Sequence, residues 1–268
     1  MQKIFIILLI ICANCLQMMS STKEYKIRKI FNNSRNIKEL TKVYLEDSCL
    51  FCTIYPEACK SYYNTLYDNK DLFNKIITID YNLDKNSVLS IVAPEISFYN
   101  LFIGKMEIIA SEIFYVQLGF DYADFSVGIF QMKPSFIEEM ERSLDSFPEL
   151  EKYKNQIEIT NPDITKKRSI RLDRLKQVEW QLKYLCIYYI YMEKKHQNKK
   201  FISTLDKIKF YATAYNCGFN KSDSVIEEFY NLKFFPSGKL GYKHHFQYGN
   251  ISTYFYKKNC KISKKIPI

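Results

Sequence analysis

The sequence predicts a mainly α protein. Apolar residues recur at helical spacing in several separate segments of the 268-residue chain, whereas no convincing series of strands appears. Aromatic residues make up 16% of the chain, which is too apolar a composition for a disordered protein. The length provides ample material for a core, and no repeat or low-complexity linker divides it. We therefore expect one large helical domain, preceded by an N-terminal extension of short helices and loops.

The first 20 residues have the pattern of a secretory signal peptide. Lys3 precedes an apolar run of about ten residues, and small or polar residues follow it. The run is too short for a comfortable membrane span, which needs about 20 residues. Cys15, in the stretch CANC, loosely resembles a lipoprotein cleavage box, so a lipid anchor is an alternative to release. We predict an exported protein, located in the periplasm or cell envelope, whose fold begins after residue 20.

Six cysteines follow this segment, and three of them lie close together in DSCLFCTIYPEAC. The clustered cysteines are Cys49, Cys52 and Cys59, and the others are Cys186, Cys217 and Cys260. An even number of cysteines in an exported chain is compatible with disulfides. A zinc site would need a second Cys-x-x-Cys or paired histidines at ligand spacing, and the three histidines do not provide it. We expect a local disulfide or buried free thiols here, and no metal site.

Charge is distributed unevenly along the chain. The formal net charge is +10, but residues from Lys166 onward carry +15 and the preceding 165 residues carry −5. A basic half can attract an anionic polymer or a membrane surface. No nucleic-acid-binding motif accompanies the charge, so we expect no nucleic-acid partner. The lysine-rich residues 257–268 are predicted to form a solvated basic tail.

The N-terminal extension is expected to cover residues 21–84, with short helices and loops around the cysteine cluster. Asp84 or Asn86 can cap the helix that follows. Pro94 comes late in this segment and predicts a kink or break near Ala93, because proline removes a helical hydrogen bond and restricts the residue before it.

A second apolar helix is expected over residues 100–118, ending at Gly119. The polar loop FDYADFS then leads into GIFQMKP. Because the chain has only seven glycines, Gly128 at this point predicts a positive φ or a close approach of the backbone. Gln131 is flanked by apolar residues, and burying its amide unpaired would cost about 1–3 kcal/mol, which a polar ligand in a cleft would offset. The alternative is ordinary packing of a loop against a helix.

The C-terminal half is predicted to contain three further helices. Ser135 and Glu138 have capping-box spacing and predict a helix start. Residues 146–162 read as a loop, and a long helix is expected from about residue 170 to 196. A shorter helix follows and stops at Gly218. Its buried face is predicted to contain Leu205, Ile208, Ala212 and Tyr215.

Two motifs resemble segments of the soluble lytic transglycosylases. GIFQMKPS at 128–135 is similar to their Gly-Leu-Met-Gln-x-x-Pro-Ser/Thr segment, and AYNCGFN at 214–220 is similar to their Ala-Tyr-Asn-Ala-Gly-x-Gly segment. The order of the two motifs matches, and a long helix lies between them. The resemblance covers about residues 85–256. It implies a lysozyme-like catalytic domain of helices that follows the N-terminal extension.

The resemblance also implies a reaction, which is cleavage of the MurNAc–GlcNAc bond in peptidoglycan glycan strands without a metal or organic cofactor. One glutamate acts as acid and then as base, while the C6 hydroxyl of muramic acid attacks internally and leaves a 1,6-anhydro product. A single carboxyl group suffices because the nucleophile belongs to the substrate, whereas an ordinary glycosidase needs two. The acid should lie in an apolar pocket that raises its pKa.

Two glutamates compete for the position of this acid. Glu95, in SIVAPEISFYN, is similar to the family's glutamate at a helix end, although Ile96 stands where the family has serine. It lies 33 residues before Gly128, which is longer than typical and requires an inserted helix. Glu112 lies 16 residues before Gly128, nearer the usual spacing, but in the middle of a helix. We expect Glu95 to be the acid and keep Glu112 as the alternative.

The matching positions imply roles for four further residues. Gln131 would line the cleft beside the scissile bond. Tyr215 would hydrogen-bond and orient the catalytic carboxyl group, and Asn216 would hold substrate or the neighbouring loop. Tyr248, in HHFQYGNIS, is the candidate for a further aromatic contact with substrate.

Two other functions remain open. A lysozyme-like glycoside hydrolase on the same fold would need a positioned water and a second carboxylate. Asp121 and Asp124 precede the Gly128 segment and are candidates for that carboxylate, although we expect them to cap the loop instead. A non-catalytic protein for peptidoglycan binding or envelope assembly would bind glycan strands without releasing soluble fragments.

Overall fold

The computed structural model describes residues 50–99, 105–236 and 243–265, which form a mainly helical structure. The predicted signal peptide, Cys15 and the part of the predicted extension up to residue 49 lie outside the described residues. None of the helices within the described ranges is both long and apolar enough to cross a membrane.

The described chain begins with short helical elements around a disulfide between Cys52 and Cys59. This confirms the prediction of a local disulfide. Helix α1 spans Pro56–Asp68, helix α2 spans Lys70–Phe73, and a π-helical turn covers Asn74–Asp80.

These first elements share a core with the rest of the chain. Phe51 packs edge-on against Phe98 and Phe255, with ring centroids 5.9 and 6.1 Å apart. Asn259 donates a buried hydrogen bond of 2.7 Å to the hydroxyl of Tyr62 in α1. The described part of the predicted N-terminal extension is therefore packed into the same core as the C-terminal helix.

Two short helices follow, separated by a break. Helix α3 spans Lys85–Ile91 and helix α4 spans Ala93–Tyr99. Asp84 caps α3, because its carboxylate accepts from the backbone N–H of Ser87 at 2.9 Å. The chain leaves helical hydrogen bonding at Val92, one residue before α4, with Pro94 in the first turn of that helix. The predicted break near Ala93 is confirmed.

Helix α5 spans Lys105–Leu118 and ends at Gly119, whose φ is +98°. The predicted helix end is therefore confirmed, while residues 100–104 lie outside the described ranges. Glycine is needed at this position because L side chains rarely adopt such a φ.

Helix α6 spans Pro134–Ser143, but the predicted capping box does not form. Glu138 is instead bound by Arg171, at 3.0 Å between Oε1 and Nη1, so a tertiary ion pair outcompetes the local cap. The backbone N–H of Ser135 is bound by Oδ1 of Asp124 at 3.2 Å. Asp124 thus caps this segment from the preceding loop, as we expected of it.

Two predictions for the middle of the chain were wrong. Residues 146–162 are not all loop, because a 3₁₀ turn covers Pro148–Leu150 and helix α7 spans Glu151–Ile157. The predicted long helix is two helices, α8 at Ile164–Leu175 and α9 at Val178–Lys195. The carbonyl oxygen of Leu175, at the end of α8, has no partner within its helix. The side chain of Gln181 donates a hydrogen bond of 2.7 Å to this oxygen and so stabilises the break.

In the described C-terminal residues, three α-helices are accompanied by a small pair of strands. Helix α10 spans Thr204–Cys217, helix α11 spans Asp223–Glu228, strands β1 and β2 span Lys233–Phe235 and Phe246–Gln247, and helix α12 spans Tyr248–Lys265. The strands pair antiparallel. Helix α10 stops before Gly218, whose φ is +109°, as predicted. The predicted tail is helical as far as Lys265, because Asn259 is buried against α1, and only residues 266–268 lie outside the described part.

Candidate active site

The segment between α5 and α6 closes into a tight antiparallel turn at residues 127–132. Val127 and Met132 exchange two backbone hydrogen bonds of 2.9 and 3.0 Å. Gly128 has a φ of +69° and Gln131 a φ of +49°, and Nε2 of Gln131 donates to the carbonyl of Gly128 at 2.7 Å. The positive φ predicted at Gly128 is confirmed. Gln131 shares this conformation, which is uncommon for a residue other than glycine.

Gln181 of α9 explains why the turn requires glycine. A Cβ placed on Gly128 would lie 1.7 Å from Nε2 of Gln181. The buried amide of Gln181 accepts from the backbone N–H of Phe130 at 2.9 Å and donates to Leu175. We did not predict a role for this residue from the sequence. The available signal was a glutamine on a helix face that is otherwise apolar.

Tyr215 of α10 binds the other backbone polar group of the same residue, Phe130. Its hydroxyl donates to the carbonyl oxygen of Phe130 at 2.7 Å, and its ring packs on Phe136 and Tyr188. We had expected this hydroxyl to bond the catalytic carboxyl group. Its single proton is directed at Phe130, so it can offer a carboxyl group only a lone pair. Burial and then the charge of Glu95 raise the pKa of Tyr215 well above 10, so the two groups are electrostatic neighbours.

Glu95 lies in the first turn of α4, between the buried residues Pro94 and Ile96. The residue is half-buried, so it keeps some contact with solvent. Desolvation of the carboxyl group raises the pKa of Glu95 from 4.5 to about 8, and the Tyr248 hydroxyl and the Lys133 ammonium oppose this rise. A carboxyl group that is mostly protonated at neutral pH and remains accessible can act as a general acid.

Tyr248 is the first residue of α12 and is buried. Its ring packs on Phe235, with centroids 5.2 Å apart. The buried hydroxyl makes no hydrogen bond of regular geometry to any described residue. The hydroxyl nevertheless lowers the pKa of Glu95 and so favours the ionised carboxylate. It therefore lies close to that carboxyl group, although the geometry between them is not that of a regular hydrogen bond. The buried hydroxyl of Tyr248 is therefore a neighbour of the candidate acid.

The close crossing of α12 over α10 determines the position of Tyr248. A Cβ on Gly249 would lie 2.8 Å from Oγ1 of Thr213 and 3.0 Å from the carbonyl oxygen of Lys209. Only glycine allows this approach without a shift of one helix. The crossing brings Tyr248 into electrostatic contact with both Glu95 and Tyr215.

Glu112, the alternative acid, has a different environment. Its carboxylate forms an ion pair of 2.9 Å with Nζ of Lys176, in which the Lys176 side chain is 44% exposed. An ion pair with a lysine is a structural role for this carboxylate, and it differs from the apolar surroundings expected of a general acid. Of the two candidates, Glu95 has the surroundings expected of a general acid.

Gln131 and Asn216 are the remaining predicted residues. Gln131 is in the turn whose Phe130 carbonyl Tyr215 binds. Asn216 follows Tyr215 near the end of α10, is half-buried, and makes no side-chain hydrogen bond within the described residues. The structure thus brings Glu95, Tyr215 and Tyr248 together, while Gln131 and Asn216 are the sequence neighbours of Phe130 and Tyr215.

Comparison with protein-family models, with curated proteins and with solved structures gives no match to this chain. Within the described ranges, no group of three or more histidine, cysteine, aspartate or glutamate side chains is arranged to hold a metal ion.

Proposed function

We propose that the chain is a peptidoglycan lytic transglycosylase with a lysozyme-like domain over residues 85–256. Glu95 is the general acid and then the general base. The observation that supports this most is the environment of Glu95, a half-buried carboxyl group with a pKa of about 8 beside two buried tyrosines. The proposed partner is the glycan strand of peptidoglycan, reached after export to the periplasm or cell envelope.

The raised pKa suits the first step of the reaction. With a pKa of about 8, roughly nine-tenths of Glu95 carries a proton at pH 7 and can donate it to the glycosidic oxygen. The resulting carboxylate then removes the proton of the C6 hydroxyl as that oxygen attacks the anomeric carbon. The Tyr248 hydroxyl favours the ionised form of Glu95 and therefore stabilises the carboxylate between the two steps.

The surroundings of Glu95 favour the transglycosylase over a two-carboxylate hydrolase. The groups that act on its charge are a hydroxyl and an ammonium, and neither is a carboxylate. Asp124, one of the two candidates for a second carboxylate, is engaged by Ser135 and Lys133. A hydrolase would place its second carboxylate about 5–10 Å from the first.

The test is mass spectrometry of the soluble products after the protein without its first 20 residues is incubated with purified peptidoglycan. Fragments that end in 1,6-anhydromuramic acid would support the proposal. Hydrated reducing ends would instead support the lysozyme-like hydrolase. If protein shown to be folded releases no fragments, the catalytic proposal fails and the glycan-binding alternative is favoured.

A pair of variants tests the assignment of the acid. We expect Glu95→Gln to lower the cleavage rate by about 10²- to 10⁴-fold, the usual contribution of general acid–base catalysis, while the fold is retained. Glu112→Gln is the matched control, since it removes a carboxylate that is paired with Lys176, and it should keep its activity. Activity in the first variant with loss in the second would reverse the assignment.

A further inference from the structure

The imidazole of His196 is buried where three helices meet. His196 is the residue on which α9 ends, and its side chain is 5% exposed. Its ring packs edge-on against Phe210 of α10, with centroids 4.9 Å apart, and its centroid lies 6.4 Å from that of Tyr211. Its Nδ1 lies 3.5 Å from Oδ1 of Asp223, the first residue of α11. One titratable side chain therefore joins the end of α9 to both α10 and α11.

The charged groups around His196 come from α11 and from the chain on either side of His196. The acidic neighbour is Asp223, but its side chain is 44% exposed and its second oxygen binds Nζ of Lys199 at 2.9 Å. Lys199 also binds Oε1 of Glu227 in α11, at 2.8 Å. The ammonium groups of Lys195 and Lys199 both oppose a positive charge on the imidazole. Of the described residues whose charge acts on His196, none belongs to α10.

This position accommodates the neutral imidazole better than the charged one. The neutral ring has one N–H group, whereas the imidazolium has two. Because Nε2 is buried and makes no hydrogen bond to any described residue, the charged ring would keep a buried donor without an acceptor. Burial, opposed by Asp223, accordingly lowers the pKa of His196 below its ordinary value of 6.5. The cost of protonation is relieved if the ring reaches water, which requires its contacts with α10 and α11 to open.

We propose that His196 makes the docking of α11 sensitive to pH. The neutral imidazole allows α11 to pack against α10 and the end of α9, and the imidazolium favours the release of α11. Because residues 218–222 join α10 to α11, this release frees one end of the loop that follows Tyr215 and Asn216. The inference concerns regulation built into the fold and does not depend on the proposed reaction.

The docking of α11 should weaken as the pH falls. The pKa of His196 is lowered in the closed arrangement, so the open arrangement binds the proton more tightly. The stability that the neutral ring contributes is therefore fully present above pH 6.5 and is lost at lower pH. At pH 5.5, one unit below the ordinary pKa, protonation can favour opening by at most about tenfold.

Hydrogen–deuterium exchange with mass spectrometry at pH 7.5, 6.5 and 5.5 tests the proposal, after correction for the intrinsic pH dependence of exchange. We expect the protection of the α11 amides, relative to those of α1, to fall by about three- to tenfold between pH 7.5 and 5.5. In His196→Phe, which keeps a ring that cannot be protonated, this fall should disappear. Glu95 titrates in the same window in both proteins, so the difference between them isolates His196.

His244→Phe is the matched control, because His244 is exposed, and it should behave like the parent protein. A fall smaller than about threefold in the parent protein, or an equal fall in His196→Phe, would overturn the inference.

A proton NMR titration of the tag-free parent protein is a second test, which does not require a His196 variant to fold. The chain has three histidines, so His244→Phe and His245→Phe identify two of the imidazole signals and the remaining one belongs to His196. We expect the midpoint of the His196 titration below pH 6.5. A midpoint at or above 6.5 would mean that the closed structure accommodates the charge, and the proposed pH sensitivity would then be wrong.

Discussion

Gln181 lies so close to Gly128 that a Cβ on the glycine would fall 1.7 Å from the side-chain nitrogen of Gln181. The same side chain binds the amide of Phe130 and the carbonyl of Leu175. Tyr215 binds the carbonyl of Phe130 from α10. Helices α9 and α10 therefore bind the backbone N–H and the backbone carbonyl of Phe130, respectively. These two bonds fix the turn beside the proposed active site.

Gly128→Ala is expected to destabilise the protein by about 2 kcal/mol or more, because the added methyl group both strains the backbone and collides with Gln181. Urea unfolding measures the loss. In a Gln181→Ala background the collision is absent, so the same substitution should cost at least about 1 kcal/mol less. Additive effects of the two substitutions would contradict the contact.

Tyr215→Phe should reduce stability without changing the pH dependence of activity. The substitution leaves the buried carbonyl of Phe130 unpaired, which costs about 1–3 kcal/mol. The Tyr215 proton is directed at Phe130 and not at Glu95, so the alkaline limb of the activity profile should keep its midpoint near pH 8. Urea unfolding and a pH–rate profile of the same variant test both parts. A displaced midpoint would show that Tyr215 orients the acid directly.

Tyr248→Phe should have the opposite pattern. The hydroxyl has no regular hydrogen bond among the described residues, so its removal should change stability by less than about 1 kcal/mol. It favours the ionised form of Glu95, so its loss should raise the pKa of the acid and move the alkaline limb above pH 8. A pH–rate profile beside that of Tyr215→Phe provides the comparison. A midpoint that stays in place or falls would contradict the proposed contact.

The sequence predicted those features of the fold that are determined within a few consecutive residues, namely where helices begin, break and end. Asp84, Pro94 and Gly119 each act within one turn of a helix, so their effects on a cap, a break and a stop could be inferred. The capping box at Ser135 failed because Glu138 is bound by Arg171, which lies far away in sequence. Contacts of this kind have no local pattern.

The same distinction applies to the candidate site. A constraint at Gly128 was predictable from the rarity of glycine, but Gln181 as its cause was not, since the two residues meet only after α9 has packed. The partner of Tyr215 was also not predictable, because a tyrosine hydroxyl bonds a carbonyl oxygen as readily as a carboxyl group. Glu95 and Glu112 are separated by their surroundings, which are a desolvated position beside Tyr248 for the first and an ion pair with Lys176 for the second, and both arise only from the packed structure.

Arg171→Met tests the ion network that replaces the predicted capping box. The guanidinium is 5% exposed, binds both oxygens of Glu141 at 3.0 and 2.6 Å, and also binds Glu138. Removing it leaves two partly buried carboxylates without their cation, at a cost of about 3–5 kcal/mol. Arg142→Met is the control, because Arg142 forms an exposed pair with Glu139 within α6 and its loss should cost less than about 1 kcal/mol. Similar losses in the two variants would argue against the network.

Glu95→Gln should change how stability depends on pH. The carboxyl group has an ordinary pKa of 4.5 when unfolded and about 8 when folded, so the native state binds the proton more tightly. The stability that Glu95 contributes is fully present below pH 4.5 and is lost as the pH rises through 8. Glutamine does not titrate, so the variant should be close to the parent protein at pH 4 and more stable at pH 9. Because Glu95 is only half-buried, we expect a gain of about 2 kcal/mol, below the full value of about 1.4 kcal/mol for each pKa unit.

Urea unfolding of both proteins at unit steps from pH 4 to pH 9 measures this difference, with Glu112→Gln as the control that should follow the parent protein. The gain must grow between pH 4.5 and 8, because only there do the folded and unfolded states differ in bound protons. Curves that run parallel across this window would mean that Glu95 is ionised in the folded protein at neutral pH. It would then lack the proton that the proposed reaction requires.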